Sequence, residues 1–270
     1  MHARLKKIFN YYGGKYFMLN DIYRLILNYY NPITKEHKLS CFVDVFGGSG
    51  TVLLNLPKEL GHFNKVFNDI DSRIYNLMVA LQDENQRKEI EERFNYALRS
   101  REYFEMLKKK DEQTPFEFLY LLACSFNADA NTFSTYSKSP EKKFNVTFKN
   151  ALNNWKYIKD WTLEKLDFRE VIPKYDTDET FFYLDPPYLT GGAAYKFKFT
   201  KEDFIDLKNI LDKVKGKWLL NESEIDFDFI KSVFGEPKMV KRYSSNFVTR
   251  YSMENGIKKP PRLEGFWTNF

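Results

Sequence analysis

Residues 41–56, CFVDVFGGSGTVLLNL, set a short apolar and β-branched run against a glycine-rich turn and a second apolar stretch. A run of this length bounded by glycines is a buried strand, and the turn hands the chain to a helix beginning near Thr51. The grammar returns at 65–70, KVFNDI, followed by DSRIYNLMVALQ, where Ile74, Leu77, Met78 and Leu81 recur at helical spacing. It returns again in FFYLDPP, the helical FTKEDFIDLKNILDKV, the strand KWLLNES, the helix candidate IDFDFIKSVF, and the final runs PKMVKRYSS and RLEGFWTNF. Strands alternating with helices pair in parallel through crossovers. The predicted fold is therefore α/β: a Rossmann-like, mostly parallel sheet with helices on both faces, binding ligands at the carboxyl ends of its strands.

From 84 to 159 the pattern changes to charged and aromatic stretches, ENQRKEIEERFNYALRSREYFEMLKKKDE, then PFEFLYLLACSF, then the polar NADANTFSTYSKSPEKKFNVTFKNA. Two helices and a loop or hairpin are predicted here. An α/β domain formed by 1–83 and 160–270 is thus interrupted by a mainly helical insert over 84–159. A chain of 270 residues exceeds the usual domain of roughly 100–200, which fits a core with an insert.

Composition narrows the class. With 43% hydrophobic and 29% charged residues the chain is globular rather than disordered. Cys41 and Cys124 are too few for a disulfide framework, which points to a reducing compartment. His2, His37 and His62 stand at no ligand-like spacing, so no metal site is expected. The basic start, MHARLKKIFNYYGGK, lacks the apolar centre of a secretion signal, and no run approaches the roughly 18 apolar residues of a membrane span. The expected setting is cytoplasmic, with no membrane partner. A net charge of +5 suits a polyanionic partner without requiring one.

The glycine turn narrows the ligand. Backbone N–H groups left exposed there, with the start of a helix, can hold a polar or anionic group. An acid about twenty residues beyond such a turn holds a ribose diol in dinucleotide sites. Asp69 stands at that distance, at the end of the next strand, with Asp71 as its rival. Leu53 occupies the place of the third fingerprint glycine, which argues against nicotinamide and flavin dinucleotides. Gly13-Gly14-Lys15 is followed by Tyr16, which argues against a phosphate loop. A ligand with a ribose and no essential pyrophosphate remains, and S-adenosylmethionine fits. For this motif by itself, a plain strand-turn-helix with surface acids is an equal reading.

The run Phe181–Leu184 ends in Asp185, Pro186, Pro187 and Tyr188. Each proline fixes φ and lacks an N–H, so the ladder must stop. The Asp185 carboxylate and the Asp185 and Pro186 carbonyls then form an acceptor cluster with no local donor. An exocyclic amino group of a nucleobase matches it, offering two N–H donors and a flat ring for Tyr188. Hydrogen bonds from that amino group would favour a pyramidal, more nucleophilic nitrogen aimed at a sulfonium methyl. The bland reading is a Pro-Pro turn after an edge strand.

Taken together and in this order, the segments resemble the Dam-like, D12 class, alpha group of adenine-N6 DNA methyltransferases. FNYYGGKYFML resembles the family's amino-terminal Trp-Ala-Gly-Gly-Lys segment, FVDVFGGSGTVLLN its cofactor loop, FNDID its ribose-acid segment and LDPPY its catalytic tetrapeptide. The resemblance runs from Phe9 to the terminal GFWTNF. It implies a catalytic Asp185-Pro186-Pro187-Tyr188 and S-adenosylmethionine held by Tyr11, Lys15, Asp44, Phe46, Asp69, Asp167, Phe168 and Asp185, with S-adenosylhomocysteine as product. Tyr11 replaces the family's usual tryptophan, and Ala128 stands where the family has glycine.

On the same resemblance the insert is a target-recognition domain for double-stranded DNA. Asn127, Lys142 and Lys143 are its candidate contacts, beside Arg99, Arg101 and Lys108 to Lys110, and the target base must be flipped out of the duplex. The Lys108–Lys110 run reads more simply as a solvated helix face. A cognate restriction endonuclease is a candidate partner, the chain is expected to be a monomer or weak dimer, and a bacterial or phage-infected cell is the expected host. Cytosine-N4 methylation and a catalytically silent DNA-binding module are the rivals. Cytosine-C5 methylation is excluded because neither Cys41 nor Cys124 follows a proline.

Overall fold

The structure, a computed structural model, describes residues 6–30, 38–135, 140–189, 196–243 and 262–270. His2, His37, Gly191 and Gly192 lie outside the described residues. Seven strands form one sheet: β1 (Cys41–Asp44), β2 (Asn64–Asn68), β3 (Thr162–Glu164), β4 (Thr180–Leu184), β5 (Lys217–Ser223), β6 (Met239–Tyr243) and β7 (Arg262–Thr268). Their order is β3-β2-β1-β4-β5-β7-β6, with β7 antiparallel to both β5 and β6 and the other pairings parallel. The chain moves outward from β1 through β2 to β3, then returns to the other side of β1 with β4. The order therefore reverses between β1 and β4, and a crevice opens beyond their carboxyl ends.

Every residue of β4 is buried because helices cover both faces of the sheet, so the run reads as continuous rather than alternating. One core, on the face holding α1 (Leu19–Tyr29) and α3 (Ser72–Gln82), includes Ile22, Ile26, Phe42, Phe67, Ile74, Leu77 and Leu81. The other, holding α8 (Phe168–Tyr175), α9 (Lys201–Leu211) and α10 (Phe227–Phe234), includes Val43, Val66, Phe182, Leu184, Phe204 and Trp218. After β1 only one turn of helix, α2 (Thr51–Leu54), follows the glycines. The Asp71 carboxylate caps α3 by accepting from the Arg73 N–H, which explains why that helix begins directly after β2.

Among the described residues between α3 and β3 there are four α-helices, not the predicted two: α4 (Glu84–Tyr96), α5 (Arg101–Lys108), α6 (Pro115–Cys124) and α7 (Pro140–Asn154). The first charged stretch is divided because Ser100 caps a new helix, its hydroxyl accepting from the Tyr103 N–H. The stretch predicted as loop or hairpin holds α7, whose Phe144, Phe148 and Ala151 recur at helical spacing and are buried. Phe148 stacks on Phe94 at 4.6 Å, which ties α7 to α4. α6 starts in a Thr114–Glu117 capping box with Pro115 at the first position and is buried on all sides from Phe116 to Cys124. It is the axis around which the other three helices and α3 pack. The segment between α6 and α7 turns sharply, with Asn127, Ala128 and Ala130 all at positive φ. An alanine costs roughly 1–2 kcal/mol in that conformation, the physical reason glycine suits position 128 better.

Candidate active site

Because β1 to β4 are parallel neighbours, their carboxyl ends share one edge, and a cavity of about 220 Å³ opens there. Asp44, Phe46 and the glycine turn enter from β1, Asp69 from β2, Asp167 and Phe168 from β3, and Asp185 and Pro187 from β4. Tyr11 and Lys15 close it from the amino-terminal segment. Asp44 pairs in register with Tyr183, which brings Asp185, two residues further on, beside the glycine turn. Pro186 and Tyr188 follow Asp185 at the same corner but are not among the lining residues.

The Asp185 corner meets a donor from a distant segment of the chain: the Lys15 ammonium lies 2.7 Å from Asp185 Oδ1, an ion pair lying off ideal hydrogen-bond alignment. Lys15 Nζ also donates to the Tyr188 hydroxyl at 3.0 Å and to the Gly13 carbonyl at 3.2 Å. The Lys15–Tyr188 contact joins residues 173 positions apart, so no local pattern could reveal it. Burial opposes the charge on Lys15, but Asp185 chiefly, with Tyr188, Tyr183 and Glu264, raises its pKa well above the usual lysine value. Lys15 is an ammonium and cannot serve as a base. Burial pushes the Asp185 carboxyl up and Lys15 holds it down, leaving it raised. The Tyr188 phenol, raised well above its ordinary range by burial, stays neutral.

The glycine turn spends its N–H groups inside the protein, contrary to the expectation that they are exposed. Gly47 N donates to Asn68 O, Gly48 N to Asp69 Oδ2 and Gly50 N to Gly47 O. The reason is close approach: a Cβ on Gly47 would stand 2.2 Å from the Phe67 ring, and with α2 only one turn long the loop is anchored on β2 rather than on a helix dipole. Asp69 is therefore partly occupied, its Oδ1 accepting from Asp71 N at 2.9 Å. Burial nevertheless drives its pKa up to about 7 against those two N–H bonds. Asp71 is committed to capping α3 and to Arg73, whose side chain it accepts through both oxygens. Of the two rivals, Asp69 is the less engaged. Asp44 is raised well above the carboxylate range, first by burial and then by Asp185 and Asp69, and its Oδ1 is buried without a hydrogen-bond partner.

Asn68 was not among the residues singled out from sequence. Its side-chain N–H groups donate to Val45 O at 2.9 Å and Leu166 O at 3.0 Å, and its Oδ1 accepts from Leu166 N at 2.9 Å. One buried amide thus joins the loops after β1, β2 and β3. The only local signal was a polar residue closing an apolar strand. Asn68→Ala is expected to lower unfolding free energy by about 1–3 kcal/mol for each buried backbone group left unpaired. Urea unfolding within about 0.5 kcal/mol of the parent would count against the clamp.

Phe199 is the second addition. It lines the cavity and meets Phe46 edge-on at 5.5 Å and Phe168 at 5.3 Å, so three rings bound one side of the space. In sequence it was one aromatic in KFKFT, ahead of the Thr200–Asp203 capping box of α9. Of the insert candidates, Asn127 and Lys142 are exposed, whereas Lys143 turns inward and donates to Ser125 O at 2.6 Å. Arg99 donates to Ser134 O, and both Arg99 and Arg101 lie over the Phe133 ring. Lys108 donates to Asn131 O and pairs with Glu105. Cationic side chains thus gather around the 125–134 loop.

A family model described as D12 class N6 adenine-specific DNA methyltransferase matches residues 11–247. Modification methylase StsI of Streptococcus sanguinis is 26% identical over an alignment of 208 residues that covers 71% of this chain and only 30% of that protein. Type II methyltransferase M.MjaIII of Methanocaldococcus jannaschii is 26% identical over 232 residues, covering 72% of this chain and 77% of its own length. Type II methyltransferase M.CviBI of Paramecium bursaria Chlorella virus NC1A is 24% identical over 202 residues, covering 70% and 75%.

Proposed function

Because the chain belongs to the D12 class N6 adenine-specific DNA methyltransferases, we propose that it moves a methyl group from S-adenosylmethionine to the N6 amino group of a chosen adenine in duplex DNA. The observation that carries this reading is the adjacency of β1 and β4 at the reversal of strand order, which gives the glycine turn and the Asp185 corner one cavity. The residues present fit the cofactor. Phe46, Phe168 and Phe199 offer apolar faces to a purine, Asp167 an acceptor for its amino group, Asp69 an acceptor for a ribose diol, and buried Asp44 an unpaired oxygen for an ammonium. When bound, the cofactor supplies an electrophilic methyl on a sulfonium.

The chain's own groups then act on the base. Asp185, oriented by Lys15, and the Pro186 carbonyl accept the two N–H bonds of the amino group, and Tyr188 offers its ring to the base. The nitrogen lone pair is thereby turned out of conjugation. No strong base is needed, because the nitrogen loses its proton readily once methylated. The base must leave the duplex, at a cost of about a few kcal/mol. Residues 84–159 form the target-recognition element in this reading, with Asn127, Lys142 and the cations around 125–134 facing DNA. Lys143 acts there by supporting the loop from inside. Among the described residues no helix is long and apolar enough to cross a membrane. A cognate endonuclease as partner and a monomer or weak dimer as the working state belong to the same proposal.

Incubation with methyl-labelled S-adenosylmethionine and mixed duplex DNA, followed by digestion to nucleosides, is expected to yield N6-methyladenine. Label in N4-methylcytosine, or none at all, would overturn the reading. A pH dependence follows from Asp69. Its carboxyl titrates near 7 in the fold, and only the ionised form accepts from both ribose hydroxyls. Affinity for S-adenosylhomocysteine, measured by calorimetry from about pH 6 to about pH 8, is expected to strengthen as pH rises through 7 and then level off. A flat profile would remove Asp69 from the ribose.

A further inference from the structure

Arg169 belongs to no motif, yet four acidic contacts converge on it from two elements. Its Nη1 reaches the Asp167 carboxylate at 3.2 Å, its Nη2 reaches Asp203 Oδ1 at 2.6 Å and Asp206 Oδ2 at 2.7 Å, and its Nε reaches Asp206 Oδ2 at 3.0 Å. Its guanidinium also lies 4.3 Å from the centre of the Phe168 ring. Asp167 caps α8, accepting from the Arg169 N–H at 2.8 Å, and Asp203 closes the capping box of α9 with Thr200. Each acid is thus fixed to its own helix before Arg169 joins them.

These elements meet in one wall of the cavity, where the Phe168 and Phe199 rings pack at 5.3 Å. Asp167 and Phe168 line it from the β3 side, and Phe199 and Asp203 line it from the approach to α9. We propose that Arg169 is a positioning residue for the cofactor, tying the α8 cap to the first two turns of α9 and so setting how the Phe168 and Phe199 rings pack into the apolar wall offered to the purine. The inference rests on the cofactor reading above and deepens it. Arg169 itself is not among the residues that line the cavity.

The bland account is an exposed ion network with no consequence. Exposed pairs contribute little to stability, about 0–1 kcal/mol, and the Arg169 side chain is 39% exposed. That smallness makes the test clean. A latch that adds little to folding can still matter for binding, because a ring wall already held in place need not be ordered when the ligand enters. Its planar fork also explains why lysine would be a poor substitute, since one ammonium cannot meet three carboxylates on two elements at once.

The full chain carrying Arg169→Gln, Arg169→Lys or Asp206→Asn is to be compared with the parent. The measurements are calorimetric affinity for S-adenosylhomocysteine, steady-state transfer to duplex DNA, and the melting midpoint without ligand. Asp206 touches Arg169 from outside the cavity lining, so its variant disturbs the latch alone. Arg169→Gln is expected to weaken cofactor affinity and raise cofactor KM by about tenfold, with kcat at saturating cofactor within about twofold and the melting midpoint nearly unchanged. Arg169→Lys and Asp206→Asn are expected to fall between it and the parent. Unchanged affinity in Arg169→Gln would overturn the proposal. So would a lowered melting midpoint without an affinity change, or a loss confined to kcat. If the parent itself bound no S-adenosylhomocysteine, the cofactor reading would fail first, and the proposal with it.

Discussion

Replacing Asp185 with alanine is expected to lower methyl transfer by about 10³-fold, the scale on which one preorganised electrostatic group acts in a water-poor site. Its carboxylate is the acceptor at the end of β4 that Lys15 holds in place, and no neighbour can substitute for it. Asp44 is a neighbouring carboxyl, but burial and the adjacent acids raise its pKa well above the carboxylate range. Affinity for S-adenosylhomocysteine should persist within a few-fold, because Asp69, Asp167 and the three rings remain. Asp185→Asn keeps one carbonyl acceptor and is expected to retain more activity than alanine. Single-turnover transfer within about tenfold of the parent would take Asp185 out of the chemistry.

Lys15→Met is expected to produce the largest change in stability. It removes one partner of a buried ion pair, with side-chain exposures of 5% and 16%, and leaves the Asp185 carboxylate unpaired. Breaking such a pair costs about 3–5 kcal/mol. The loss should depend on pH in a defined sense. Without Lys15 the carboxyl pKa rises further above its unfolded value, so the folded variant binds a proton that the unfolded chain has already released. Its stability then falls as pH rises from the unfolded pKa to the folded one, and the deficit narrows as pH is lowered. Transfer should fall as well, since Tyr188 loses the donor to its hydroxyl. Urea unfolding of parent and variant across the acid range checks this; a deficit that widened towards acid would refute the pairing.

Much of the architecture was legible because it is written locally. The Asp44-to-Gly50 turn and the Asp185-to-Tyr188 corner announce themselves through glycine and proline, whose backbone limits act within a few residues. Ile74, Leu77, Met78 and Leu81 marked α3, and all four are buried. α7 was readable in principle at Phe144, Phe148 and Ala151, but its lysines and asparagines hid a helix inside what looked like a loop. β3 was not readable. Three residues carry no period, and they are a strand only because β2 offers an edge, pairing Val66 with Thr162.

Local sequence was enough for the family and for the corners that end β1 and β4, because turn chemistry depends on neighbours in the chain. Which of the site's side chains are already engaged was decided only by the tertiary structure. Lys15 on Asp185, Asn68 across three loops and Arg169 between α8 and α9 are contacts between distant segments, and a carboxylate's readiness depends on what lies a few ångströms away in space. The same holds for Asp69, whose titration near neutrality comes from burial at the edge of a folded sheet.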